Sequence, residues 1–297
     1  MDQREQNHVK SRHVAADIQL SLAALLAGSG WLFSINALKE LPPLLFMGSR
    51  FLIAGLLIGL LTDFRSLRGH SNQLSSLLPA AAALALAMMF WIIGLKQTTN
   101  PGVAAFIAAM GNLLVPVFGL LLFRWPVGRG IWLSLALALV GMSLLFLDRG
   151  AHVDDGHIYF IISAGLWAIS IALVKRNSVN FDPVVVTSIQ LAVSGLIILL
   201  VSLVVEELPR ALPTGAAFGW FLVSILLSTC LRFFLQFRGQ QLISAGRAAI
   251  LMCFEPVWTM LLSMSLLGTV ISLPQAIGCG IIFFAITREM LLNRKVG

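Results

Sequence analysis

Four ionisable side chains, Arg50, Arg232, Arg247 and Glu255, lie inside long apolar runs of the sequence. A charge at the centre of a lipid bilayer costs at least about 2.5–3.5 kcal/mol, so such a group needs a partner, a ligand or a water-filled cavity. Glu255 is the one acidic residue at that depth. A carboxyl so placed can bind and release protons, meet a cationic group of a solute, or brace a helix bundle through a fixed ion pair. Arg232 has two open readings: it snorkels to the interface, or it pairs with Glu255 or with a solute carboxylate.

Uncharged polar and aromatic groups add to this set. Asn112, Gln190 and Gln236 carry amides that seek hydrogen bonds across helices or along a polar path. Trp31, Trp91, Trp167 and Trp258 are too deep for an interfacial belt, and either stack on a planar solute or fill the bundle. Other chemistry is missing from the sequence. No phosphate-binding loop appears, so the chain has no ATP-driven step of its own. The five histidines lie in tails, loops or at a helix edge, without metal-ligand or nucleophile spacing. Cys230, Cys253 and Cys279 show neither a metal pattern nor a disulfide framework. Neither a metal, nor a cofactor, nor an enzymatic reaction is expected.

The elements that must position these residues are membrane helices. The 297 residues are 58% hydrophobic and 11% charged, against roughly 45–50% and about 25% in a soluble domain. A crossing needs about 20 mainly apolar residues. Ten such stretches occur, at 18–38, 43–61, 74–95, 101–123, 130–147, 157–174, 183–205, 214–237, 242–267 and 271–287. The polar start up to Asp17 is followed by an apolar run with no small-residue cleavage site, which predicts a retained first helix.

The net charge of +7 comes from basic residues scattered singly or in pairs between apolar stretches, a topology signal and no nucleic-acid face. With the N-terminus in the cytoplasm, Arg4, Lys10, Arg12, Arg65, Arg68, Arg124, Arg129, Lys175, Arg176, Arg238, Arg288, Arg294 and Lys295 fall inside. Only Lys39, Lys96, Arg149 and Arg210 fall outside. That bias, 13 against 4, predicts both termini inside. Trp125, Trp132 and Trp220 fall at predicted helix ends, where an aromatic belt belongs.

The chain also repeats itself. An ungapped offset that lays Pro43 on Pro183 also lays Arg50 on Gln190, Gly55 on Gly195, Ala105 on Ala245, Ala109 on Ala249 and Pro116 on Pro256. Five crossings per unit is an odd number, so the second unit, 151–297, enters the membrane opposite to the first, 1–150. Inverted repeats of this kind characterise secondary transporters, which rock about a site near the midplane. Pro116 and Pro256 lie within helices four and nine, where each removes a donor and is either a hinge or cavity-lining bend or an ordinary membrane-helix proline. Gly55 with Gly59, and Gly215 with Gly219, are expected to permit close helix packing.

These residues resemble the drug/metabolite transporter superfamily, in particular the EamA-type ten-helix exporters, over nearly the whole chain. The likeness rests on Gly28-Ser29, Pro42-Pro43 followed by Arg50, and Pro116 in the first unit. In the second it rests on Trp167-Ala168, the run Ser244-Ala245-Gly246-Arg247-Ala248-Ala249, and Glu255-Pro256-Val257. Two departures stand out. Arg124-Trp125 and Gly268-Thr269 occupy the places of a usual Gly-Glu pair, and Ala27-Gly28-Ser29-Gly30 stands where tryptophan and asparagine are common.

The resemblance implies an all-α integral membrane fold, ten transmembrane helices as two inverted five-helix repeats with both termini cytoplasmic. It implies export of a small metabolite or drug from a bacterium through a central cavity without ATP; a monomer in the inner membrane is expected. It also makes Arg50 and Arg247 architectural. The expected pathway residues are Glu255, Arg232, Asn112, Trp31, Trp91, Trp167 and Gln236, with protons as a possible coupling ion. A passive channel, an uptake carrier and an intramembrane enzyme are the competing readings.

Overall fold

Prolines open several helices of this chain: Pro43, Pro101 and Pro183 each stand at a first helical position, where the missing N–H has no intrahelical acceptor to lose. Polar caps set other starts. Asp182 accepts from the Val184 amide at 2.7 Å, and the Ser244 hydroxyl from the Arg247 amide at 3.3 Å. The computed structural model describes residues 3–60, 71–98, 101–146, 156–178, 181–209, 213–267 and 272–294. The polar link with Asp148, Arg149, Asp154 and Asp155, the basic residues Arg65, Arg68, Arg210 and Lys295, and Gly268-Thr269 lie outside them.

The elements are α1 (Gln3–Ala37), α2 (Pro43–Leu60), α3 (Leu78–Gln97), α4 (Pro101–Phe123), α5 (Arg129–Phe146), α6 (Gly156–Asn177), α7 (Pro183–Val205), α8 (Gly215–Ile225), α9 (Arg232–Leu242), α10 (Ala245–Met252), α11 (Glu255–Leu267) and α12 (Leu273–Arg294). A 3₁₀ turn at Ser71–Leu77 leads into α3, and a π-helical turn at Leu226–Leu231 joins α8 to α9 in one rod. No strand occurs among the described residues. Six spans among the described residues are long and apolar enough to cross a membrane: His13–Ala37, Pro43–Leu60, Leu74–Gln97, Gly156–Asn177, Pro183–Val205 and Gly215–Leu242. Three shorter apolar helices accompany them, at Ile107–Phe123, Arg129–Leu144 and Leu273–Arg288.

The structure corrects the expected boundaries in three places. The first helix begins at Gln3 rather than at residue 18, because nothing in the polar start breaks a helix, so Asp17 is helical. The eighth stretch runs on to Leu242, which sets Arg232 ten residues from the end, about 15 Å along the axis. The ninth stretch is two helices, with a turn at Cys253 and Phe254. Pro256 is the second residue of α11, following that break, whereas Pro116 lies within the helical run of α4.

Packing between the two halves is antiparallel and comes in interchangeable pairs. A methyl group added at Gly48 would strike Leu199, one at Gly55 would strike Ala192, and one at Gly195 would strike Leu52. Rising numbers on α2 thus meet falling numbers on α7. The same holds for α5 and α12, where Gly141 meets Gly278 and Arg288 donates to the Gly130 carbonyl. These are counterpart helices of the two units, so counterparts run in opposite directions, as an inverted repeat requires. The packing of α3 on α6 is likewise mirrored by that of α9 on α1.

Serine hydroxyls stitch the helices where small residues bring backbones close. Ser163 donates to the Ala87 carbonyl, Ser170 to Ala80, Ser194 to Ala81 and Ser188 to Gly55, all at 2.7–2.9 Å. Gly215 and Gly219 do not share the role expected of them. An added methyl at either would touch nothing within 4 Å among the described residues.

Candidate functional site

A cavity of about 80 Å³ lies between the halves, several times the roughly 10–15 Å³ that one water needs. The first half contributes residues of α1, α2, α3 and α4, and the second residues of α6, the π turn, α9 and α11. Trp31, Trp91, Asn112, Trp167, Arg232 and Glu255 line it together, and Arg50 joins them. Gln236, Pro116, Pro256, Trp258 and Arg247 do not.

Arg50 is held on all three of its nitrogens. Its Nε donates to Thr229 Oγ1 at 2.5 Å, one terminal nitrogen to Ser34 Oγ at 3.1 Å, and the other to Ser228 Oγ at 2.9 Å and the Ser228 carbonyl at 3.2 Å. The π turn makes this cradle possible, because its wider winding sets Ser228 and Thr229 side by side facing α2. Gln190, the repeat counterpart of Arg50, bonds instead to Ser170 at 2.9 Å.

Arg232 is held quite differently. Its guanidinium lies 4.9 Å from the Trp167 ring and 4.4 Å from the Phe233 ring, and it is 9% exposed. Its buried Nε has no hydrogen-bond partner. Arg232 and Glu255 face one cavity, yet no ion pair within 4.0 Å joins them. Arg232 thus lies over aromatic rings at the cavity wall, ten residues before the end of α9.

Glu255 opens α11, directly after the break between α10 and α11. A carboxylate in a first helical turn is favoured by the unpaired amides there, and broken helices at mid-membrane are a recurring means of building polar sites. Pro256 has no N–H to return to the preceding turn, which suits it to this position. Trp31 Nε1 donates to Glu255 Oε1 at a long 3.4 Å. Trp31 also packs edge to face on Trp91, centroids 4.9 Å apart, and stacks on Phe160 at 5.9 Å. Asn112 Oδ1 accepts from Trp167 Nε1 at 3.2 Å.

A second, much smaller cavity of about 10 Å³ shares Asn112 with the first and is lined also by Lys175 and Gln240. The main cavity sits nearer the end where α1 stops and α2 starts, and the small one nearer the end where α6 and α9 stop. On α9, Arg232, Gln236 and Gln240 follow at four-residue spacing and so share one face. Gln236 is fully buried between the two cavities in this series, and neither its amide nitrogen nor its oxygen has a partner.

Arg247 is engaged elsewhere. It grips Asp17 of α1 with both carboxylate oxygens, at 2.6 and 2.8 Å, both side chains being buried. Sequence reasoning missed Asp17 because it reads as part of a polar tail. It missed Lys175 by counting it as a topology charge only. Ser228-Thr229, adjacent hydroxyls within an apolar stretch, were a usable sign of the Arg50 cradle.

Apolar membrane-length helices, packed as two halves whose counterparts run antiparallel about a charged cavity, define a polytopic membrane protein of the transporter class. The EamA-like transporter family matches twice, at residues 14–147 and 155–287, and the chain belongs to that family. It is 25% identical over 274 residues to the uncharacterized inner membrane transporter YedA of Escherichia coli K12, covering 88% of this chain and 86% of that protein. It is 23% identical over 240 residues to the uncharacterized inner membrane transporter YicL of Salmonella typhimurium, covering 78% of each. To the uncharacterized transporter YoaV of Bacillus subtilis it is 23% identical over 239 residues, 78% of this chain and 82% of that one. A solved crystal structure superposes with a TM-score of 0.79 at 19% identity, over 95% of this chain and 99% of its own, a likeness of fold alone.

Proposed function

We propose that this chain is a gradient-driven secondary transporter of the bacterial inner membrane. It exports a small metabolite such as an amino acid or organic anion, or a drug, by alternating access between the unit at 1–150 and the unit at 151–297. The observation that carries this reading is a cavity walled by both halves, with Arg50 from one and Arg232 and Glu255 from the other. Residues supplied from both sides change their mutual distance when two rigid halves rock, which is what a carrier needs.

Ten crossings follow if α8 with α9, and α10 with α11, each count as one. The bias of basic residues favours both termini in the cytoplasm, and the relatives YedA and YicL, named inner membrane transporters, support the location. The chain works as a monomer, since the cavity is complete within it. Glu255, held by one long hydrogen bond from Trp31, is the residue through which protons couple. Pro116 and the break before Pro256 are the places where the halves flex.

The test is reconstitution of the full chain in liposomes, with amino acids, organic anions and cationic drugs screened with and without a pH gradient. Saturable flux, counterflow exchange and acceleration by the gradient are expected, with Glu255→Gln abolishing the acceleration. Flux that rises linearly with concentration and shows no exchange would assign a passive facilitator instead.

A further inference from the structure

Two arginines face the cavity, and only one is committed to the scaffold. Arg50 has an acceptor for every nitrogen. Arg232, nine-tenths buried, makes no hydrogen bond to any described residue, and its contacts are the rings of Trp167 and Phe233. Aromatic rings supply a cation with attraction and no hydrogen-bond acceptor in the plane of its N–H groups, and the planar fork of a guanidinium is the geometry that receives a carboxylate through two parallel hydrogen bonds. A buried charged donor without an acceptor is expensive, so its retention points to a ligand that supplies one.

The formal charge of the cavity agrees. Arg50 and Arg232 carry two positive charges against the one negative charge of Glu255, so a solute with one negative charge neutralises the set. Ile92 stands at the repeat counterpart of Arg232 and is fully buried, so this charge is no part of the scaffold the two halves share. Trp31 and Trp91, rings 4.9 Å apart, add flat apolar walls.

We infer that Arg232 is the anchor for the carboxylate of a planar organic monoanion bound between the two halves. The inference rests on the transport reading and narrows its substrate class. Glu255 is then a like charge to the solute and opposes its binding while ionised, so binding tightens when Glu255 is neutral.

The test uses three probes of one shape and different charge: benzoate, benzamide and benzylamine. Each is titrated into the purified full-length protein in detergent by isothermal titration calorimetry. Benzoate should bind saturably, and benzamide and benzylamine at least about tenfold more weakly. Arg232→Gln should erase the preference, and Arg232→Lys should weaken benzoate by about tenfold, because an ammonium keeps the charge and loses the fork. Glu255→Gln should bind benzoate at least as tightly as the parent, which keeps the idea testable even if Arg232→Gln does not fold.

Equal binding of benzylamine, no binding of benzoate, unchanged benzoate affinity in Arg232→Gln, or weakened benzoate binding in Glu255→Gln would each overturn the assignment. Flux in liposomes separates the two proposals. Saturable exchange of benzylamine without benzoate retains the transporter and removes the anion anchor. Benzoate binding without any flux retains the anchor and removes the transporter.

Discussion

Lys175, in the last turn of α6, ends against the C-terminal carbonyls of α9. Its Nζ donates to the Gln240 carbonyl and, at 2.5 Å, to the Ile243 carbonyl. Terminal carbonyls have no intrahelical donor and carry the negative end of the helix dipole, so an ammonium is the partner they favour. The contact fastens the foot of the face that bears Arg232, Gln236 and Gln240. It also lines the small cavity, on the side away from the main one, where it is placed to act as a closure.

Replacing Lys175 with Met removes these charge-assisted bonds, and a loss of about 1.5–3 kcal/mol is expected. With Cys230, Cys253 and Cys279 changed to Ala, a Gln240→Cys reporter should react faster with a membrane-impermeant thiol reagent once Lys175 is gone. Equal labelling with and without the lysine would show that it closes nothing.

Helix packing between the halves tolerates no side chain at Gly195. An added Cβ would lie 2.2 Å from the Leu52 nitrogen, and at Gly55 2.3 Å from the Ala192 nitrogen. Backbone atoms cannot swing aside, so Gly195→Leu should give no monodisperse protein and Gly195→Ala should lose stability by at least about 1–3 kcal/mol. Gly219→Ala, where the space is open, should be neutral or gain up to about 1 kcal/mol. Size-exclusion profiles after graded heating compare the three, and a heat-stable Gly195→Leu protein would refute the packing.

Asp17 and Arg247 form a buried ion pair that ties α1 to α10. Removing one partner leaves the other charged and unsatisfied, so Asp17→Leu or Arg247→Met should each cost about 3–5 kcal/mol. The double substitution Asp17→Leu with Arg247→Met should cost less than the sum of the single losses. Denaturation in mild detergent measures this, and strictly additive losses would mean that the two residues act independently.

Glu40, between α1 and α2, accepts from the Thr214 amide and hydroxyl, both at 2.7 Å, at the start of α8. The backbone hydrogen bond first, and then the hydroxyl, hold its carboxyl below the ordinary value of 4.5. Its folded form is the more acidic, so its contribution is present above the unfolded value and fades as pH falls through the folded one. Glu40→Gln should flatten the stability profile on the acid side of pH 4.5. An unchanged profile would mean that this exposed contact is too screened to register.

Much of the lining of the cavity was legible in the residues themselves. A charge or a deep tryptophan in an apolar run is conspicuous because lipid has nothing to solvate it, and six of the seven residues expected on a path do meet at one cavity. The exception, Gln236, lies one turn beyond Arg232 on the same face and is walled off. The repeat was equally visible, and Gly55 and Gly195, paired by the sequence offset, turn out to mark two of the tight contacts between α2 and α7.

Hydropathy and internal register are properties of residues in order along one chain, so the apolar segments, the repeat and the candidate ions could be read without coordinates. Who partners whom could not. Asp17 meets Arg247 across 230 positions, Arg50 is saturated while Arg232 is left with aromatic faces, and Lys175 becomes a helix cap rather than a loop charge. Those outcomes depend on how far each helix is rotated about its axis and how closely it approaches its neighbour. Contacts between small residues on different helices set both, and only the assembled bundle brings them together.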